Sequence, residues 1–201
     1  MKNTQSHQKV IGLDLDNTFG DFTDALRQFV AKSSKFTPEQ TQAYLPEPNG
    51  YSMENWHWDK TVFSGFLGAF KMAERNGGLY SNMAAFDGAT ESIRHIRNRF
   101  DASIHVVTAR SDLFAEETQS ALKTWGIHDI VDKVTFTNTK HVYPADVFID
   151  DAPSHLESFS ERGIPAVAFH QLYNVESPAK ARISTWRDSV QAIGTALGAS
   201  M

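Results

Sequence analysis

VIGLDLDNTFGDF, residues 10–22, decides the fold. An apolar run that ends in two aspartates, Asp14 and Asp16, reads as a buried strand that stops where polar chemistry begins. Successive side chains of an extended chain point to opposite sides, so Asp14 and Asp16 share one. Two carboxylates held so close raise each other's pKa unless a cation or hydrogen-bond donors compensate.

Four more short apolar runs follow: SIHVVTA (103–109), KVTFT (133–137), ADVFID (145–150) and PAVAF (165–169). Helical patterns lie between them. Residues 88–99 carry Ile93 and Ile96 on one face, with Asp87 as the expected N-cap. Another pattern starts at Ser111 or Asp112 and runs through Trp125 to a C-cap position at Gly126. A third starts near Pro153 and stops at Gly163, and residues 178–197 read as a closing helix. This alternation predicts an α/β, Rossmann-like core, a five-stranded parallel sheet with helices on both faces.

One interval breaks the rhythm. Residues 20–86 separate the first two strands by far more than one crossover helix, and are expected to form an insertion. Inside it, residues 24–32 look helical, TPEQ (37–40) offers a helix start and LPEPNGYS (45–52) is turn-rich. An aromatic stretch follows, with Trp56 and Trp58 two apart. The expected division is a core of residues 1–19 and 86–201, with a small, mainly helical insert of residues 20–85.

A chain of 201 residues, 41% hydrophobic, is long enough to bury one core and carry a modest insertion. The net charge of −5 argues against a surface that tracks duplex nucleic acid. The absence of cysteine excludes disulfides and thiolate metal sites. The first nine residues, MKNTQSHQK, have no apolar segment of the secretory kind, and no window reaches the ~18 apolar residues of a membrane span. A cytoplasmic protein without a membrane partner is the expectation.

Ligands of open parallel sheets gather at the carboxyl ends of the strands. There the sequence puts Asp14 and Asp16, Thr108, Lys140, and the pair Asp150 and Asp151. Oxygen donors without sulfur or clustered histidine favour magnesium, which takes one or two carboxylates plus substrate phosphate. A lysine and a threonine hydroxyl suit phosphoryl oxygens. Singly, each residue has an ordinary reading: Thr108 as a strand residue, Lys140 as a surface lysine with Lys123 and Lys133 as competitors, and Asp150 with Asp151 as acids at a helix start. The histidines, among them His57, His105, His128, His141, His155 and His170, are scattered and read as structural or surface groups.

Together the residues resemble the four motifs of the haloacid dehalogenase-like phosphatases, in that family's order: Asp14-Leu15-Asp16-Asn17-Thr18, Thr108, Lys140, and Ile149-Asp150-Asp151. The resemblance implies that Asp14 is the nucleophile and Asp16 the general acid/base, with Thr108 and Lys140 on the phosphoryl oxygens. It implies Mg2+ held by the Asp14 carboxylate, the Asp16 backbone carbonyl and the last acidic pair, Asp151 directly and Asp150 behind it. The insertion resembles that family's C1-type cap.

Three stretches narrow the match. Residues 14–22 are similar to the opening of the 5'(3')-deoxyribonucleotidases, residues 77–96 to the place where that subfamily leaves its cap, and FHQLYN (169–174) to its ending. The resemblance implies a nucleoside monophosphate substrate with Phe22 stacked on its base, and Trp56 and Trp58 are candidates for the cap's share. Asn17-Thr18 replaces the subfamily's glycine-valine, and Ala109-Arg110 stands where serine-proline often follows. Ala109 and Arg110 are therefore candidate substrate-binding residues, Arg110 for a second anionic group. A phosphatase for another small ester or a polynucleotide end, and a non-catalytic nucleotide-binding descendant, are the alternatives. A homodimer is compatible with all of them.

Overall fold

The first apolar run forms β1 (Val10–Leu13), at the centre of a parallel sheet. The computed structural model describes residues 8–198, so most of the polar amino-terminal stretch, residues 1–7, lies outside the described residues. On one side of β1 lie β2 (Ser103–Thr108) and then β3 (Val131–Phe136). On the other side lie β4 (Val147–Asp150), β5 (Ala166–Phe169) and β6 (Ala181–Ile183), all parallel. The sheet thus has six strands, against the five expected.

The sixth strand corrects the reading of residues 178–197 as one helix. β6 is three residues long and buries only Ile183, too short to show any periodicity. It is held by pairing with β5, and His170 N–H donates to the Ile183 carbonyl at 2.7 Å. A single turn at Trp186–Asp188 then leads into the helix proper, Ser189–Ala196.

The strands of the sheet's centre alternate between two apolar layers, which is why they read as continuous runs. Val107, Phe148, Ala166 and Ala168 pack with Leu156 and Phe159 of the helix Pro153–Glu161 on one face. Val106, Val147, Ile149 and Val167 join the larger core on the other, with Ile93 and Ile96 of the helix Ala89–Phe100 and Ile193 of the last helix. Asp87 does not cap the helix that starts at Ala89. Gly88, at φ 73°, leads into it without a side-chain cap.

Residues 20–86 contain three helices, α1 (Phe22–Ser34), α2 (Pro38–Tyr44) and α3 (Phe66–Asn76). Asp21 caps α1 by accepting from Asp24 N–H at 2.8 Å, and Thr37 with Gln40 forms a reciprocal capping box on α2. The chain leaves and returns side by side. Asp21 N–H donates to the Ala84 carbonyl and Phe86 N–H to that of Phe19. Gly20 is required there, because a Cβ would lie 2.6 Å from Met83 and 2.8 Å from Trp125. Among the described residues no helix is long and apolar enough to cross a membrane.

Candidate active site

The strand order reverses between β1 and β4, and the carboxyl ends of these two neighbours open the crevice that such a reversal creates. Asp14 follows β1 directly, its N–H bonded to the Ile149 carbonyl at 3.0 Å. Lys140, in the turn after β3, reaches in with its Nζ 2.6 Å from Asp14 and 2.8 Å from Asp150. Asp14, Asp150 and Asp151 are all buried, and each offers a carboxylate oxygen within 4.8 Å of the others'.

Burial dominates their electrostatics. It pushes the Asp14 carboxyl up to about 6 against the pull of Lys140, and Asp150 and Asp16 push the same way. Burial would also raise Asp150, but Lys140 and His155 overcome it and hold that group at about 2. Asp151 is driven well above the usual carboxylate range by burial, then by Asp14 and Asp150. Burial disfavours the Lys140 ammonium, yet Asp14 and Asp150 outweigh it and raise the amine above its ordinary value.

One ammonium among three buried carboxylates leaves room for a further cation, and an all-oxygen donor set suits a hard divalent one. The oxygens of Asp150 are taken by Lys140, the Ala152 N–H and His155. Asp14 and Asp151 line the cleft, and Asp150 does not. Asp16 stands outside this carboxylate cluster.

Asp151 is braced from two directions that the sequence did not reveal. Thr18 Oγ1 donates to it at 2.9 Å and the Tyr173 hydroxyl at 2.5 Å. Burial, followed by Asp151 itself, raises the Tyr173 phenol far above its usual range, so it stays a donor. Asn174 Nδ2 donates to the Asp151 carbonyl, and Gln171 Nε2 to that of Asn17. FHQLYN therefore locks the first acidic motif to the last. Asn17 has φ 55°, which glycine and asparagine tolerate best, and this accounts for asparagine at a glycine position. Its Oδ1 accepts from Thr23 N–H at 2.8 Å.

Asp16 faces the cleft and is gripped by Arg110. Arg110 Nε lies 3.2 and 3.0 Å from the two Asp16 oxygens, and Nη2 lies 2.7 Å from Oδ1. Arg110 Nη1 donates to Thr118 at 3.2 Å, and the guanidinium lies 4.1 Å from the centre of the Tyr80 ring. With its side chain 1% exposed and its fork spent on Asp16, Arg110 is not free for a second anionic group of a substrate. Thr108 is buried at the end of β2, where its hydroxyl accepts from Arg110 N–H at 3.3 Å, and Ala109 lines the cleft beside it.

The upper wall of the cleft is apolar: Phe22, Tyr51, Met53, Phe66, Leu67 and Phe70. Phe22 meets Phe70 edge to face at 5.7 Å, and Phe66 stacks on Phe70 at 5.9 Å. Trp56 and Trp58 are not there. Trp56 is buried, with its indole N–H satisfied by the Pro46 carbonyl at 2.7 Å and Arg27 over its ring. Trp58 packs on Trp56 beside a separate groove with Tyr44 and His57. Their spacing in a turn-rich segment marked no face, whereas Phe66 and Phe70, one helical turn apart on α3, share one. His155, read as structural or surface, also lines the cleft.

Residues 8–199 match the family described as "5' nucleotidase, deoxy (Pyrimidine), cytosolic type C protein". The chain belongs to this family. As a type C 5'-nucleotidase family member it is a phosphoric monoester hydrolase with a small-molecule phosphate ester as substrate. It is 25% identical over 183 residues to a Chlorobaculum tepidum protein named "Putative 5'(3')-deoxyribonucleotidase", covering 89% of this chain and 87% of that one. A Staphylococcus aureus protein of the same name is 22% identical over 194 residues, 92% of this chain and 94% of the relative.

Solved structures show the same fold in the haloacid dehalogenase-like hydrolases. A Streptococcus pneumoniae hydrolase superposes with a TM-score of 0.62 at 11% identity, over 92% of this chain and 98% of that one. A Haemophilus somnus structure titled as a predicted phosphoglycolate phosphatase gives 0.60 at 14% identity, over 94% and 99%. This nucleotidase-family chain thus has the haloacid dehalogenase-like fold.

Proposed function

We propose that the protein is a Mg2+-dependent 5'(3')-deoxyribonucleotidase, hydrolysing deoxynucleoside and nucleoside monophosphates to nucleoside and phosphate. The observation that carries this reading is one cleft with two unlike ends. Asp14, Asp151 and Lys140 form a charged floor, and Phe22, Phe66 and Phe70 an aromatic wall above it. A phosphate monoester of a flat, apolar leaving group matches that division, and base-on-aromatic stacking is worth roughly 1–3 kcal/mol. The names of the relatives point the same way.

In this reading residues 20–85 act as a cap and bring α3's aromatic wall to the leaving group. Asp14 attacks phosphorus. The bond from phosphorus to the nucleoside oxygen breaks, its electron pair going to that oxygen, which takes the carboxyl proton of Asp16. Water then attacks the aspartyl-phosphate, its proton passes to Asp16, and Asp14 is released as a carboxylate. Lys140 holds charge beside Asp14 throughout, and Thr108 with the Ala109 backbone supports the phosphoryl oxygens. Mg2+, held by Asp14, the Asp16 carbonyl and Asp151, would supply charge neutralisation at the phosphoryl oxygens.

Phosphate release from a panel of deoxynucleoside, nucleoside and sugar monophosphates, with and without Mg2+, tests the reading. Nucleotides should lead and should need the cation. A clear preference for sugar phosphates would refute the role of the aromatic wall, and metal-independent turnover would refute the role of the carboxylate floor.

A further inference from the structure

We infer that Arg110 is the positioning residue for Asp16, and that it ties the proton-transfer group to the helix that walls the leaving-group end of the cleft. The inference rests on the proposed role of Asp16 and adds to it a residue that this role alone does not require.

The geometry is specific. Arg110 makes three close contacts to the two oxygens of Asp16, the paired arrangement that fixes a carboxylate in plane as well as in place. Asp16 retains 28% side-chain exposure towards the cleft, while Arg110 retains 1%. Arg110 is itself immobilised by Thr118 beneath and the Tyr80 ring at 4.1 Å. The Tyr80 hydroxyl donates at 2.8 Å to Glu74, on the same α3 that carries Phe66 and Phe70. A continuous chain of contacts therefore runs Asp16, Arg110, Tyr80, Glu74, from the proton-transfer group to the aromatic wall.

A carboxyl group has about four lone-pair positions, and Arg110 leaves Asp16 open ones, for the proton it donates to the leaving oxygen and then, as a carboxylate, for accepting from water. A lysine in its place would supply charge without the fork, so geometry and charge are separable. Displacing a reacting group by ~1 Å costs about 100-fold, within the ~10²–10⁴ that proton transfer contributes. That loss falls only on substrates whose leaving group must be protonated as it departs. A nucleoside alkoxide needs the proton, and the stabilised p-nitrophenolate does not.

The experiment compares kcat/KM, which stops at formation of the aspartyl-phosphate, for a deoxynucleoside monophosphate and p-nitrophenyl phosphate. It uses wild type, Arg110→Gln, Arg110→Lys and Asp16→Asn. We expect the ratio of nucleotide to aryl ester to fall about 100-fold in Asp16→Asn and in both Arg110 variants. Tyr80→Phe, which keeps the ring and loses only the bond to Glu74, should show a smaller fall of the same sign and covers the case in which an Arg110 variant does not fold. A fall in Asp16→Asn with an unchanged ratio in every Arg110 and Tyr80 variant overturns the inference alone. An unchanged ratio in Asp16→Asn overturns the acid role itself, and the inference with it.

Discussion

Lys140 and Asp14 form a 2.6 Å ion pair in which the side chains are 1% and 8% exposed. Water solvates neither partner to any useful extent, so each depends on the other. Lys140→Met leaves Asp14, Asp150 and Asp151 without their ammonium, and breaking such a buried pair costs about 3–5 kcal/mol. The variant should be inactive and melt well below wild type without metal, with much of the deficit recovered on lowering the pH or adding Mg2+. Thermal melts with EDTA and with Mg2+ check this. A metal-free melt equal to that of wild type would mean the lysine is not the compensating charge.

The raised carboxyl of Asp14 makes a pH-dependent statement. Its folded value, about 6, exceeds the unfolded 3.8, so between those values the folded state binds the proton more tightly. Metal-free stability from this group is therefore greatest below pH ~4, declines as the pH rises to ~6, and is flat above it. At ~1.4 kcal/mol per unit the decline is on the order of 3 kcal/mol. Asp14→Asn removes that slope, so the mutant's stability relative to wild type should rise across the interval in urea titrations with EDTA. Mg2+ requires the ionised form, and its stabilising effect on wild type should be larger at pH 7.5 than at pH 5.

Tyr173 and Thr18 each donate to Asp151, and such outer partners typically tune metal affinity by 10–100-fold. Tyr173→Phe should raise the Mg2+ concentration giving half-maximal activity about tenfold while leaving saturated kcat within a few-fold. An unchanged Mg2+ dependence would place Asp151 outside the cation site.

What the sequence revealed and what it hid divide by the range of the interaction. The strand-end residues Asp14, Thr108, Lys140 and Asp151 were legible because each ends an apolar run or its connecting loop, and parallel topology brings such ends together. β6 was not, because three residues with one buried side chain leave no pattern. Arg110 stood among the candidates, but its partner, like those of Tyr80 and Tyr173, was hidden for another reason. Their partners lie 94 residues away for Arg110 and Asp16 and 22 for Tyr173 and Asp151, and nothing local marks such a bond. Trp56 and Trp58 misled because aromatic content says nothing of direction, and the bond from Trp56 to the Pro46 carbonyl turns the ring into the insert's own core.

Asn17 separates backbone from side-chain needs. Asn17→Gly keeps the φ 55° conformation and loses the two bonds to Thr23 N–H and Tyr173, which costs about 1–3 kcal/mol. Asn17→Val loses both bonds and also places a β-branched residue where φ is positive, so it should be the more destabilised by a further 1–2 kcal/mol or so. Urea denaturation of the pair checks the order, and equal stabilities would show that the turn relaxes.

The aromatic wall gives the sharpest contrast, because two pairs of similar residues should behave oppositely. Phe70→Ala removes the ring that Phe22 and Phe66 both contact, and Phe22 and Phe70 line the cleft directly. Loss of one stacking contact of roughly 1–3 kcal/mol predicts that KM for a nucleotide rises about 5- to 150-fold, with little change for inorganic phosphate as a product inhibitor. Trp56→Phe, in contrast, strands the Pro46 carbonyl and empties part of a buried site, so it should lower the melting temperature without moving KM. Steady-state kinetics and melts on the two variants are sufficient. A KM effect confined to the Trp56 variant would return base recognition to the tryptophans and leave α3 without a role in binding.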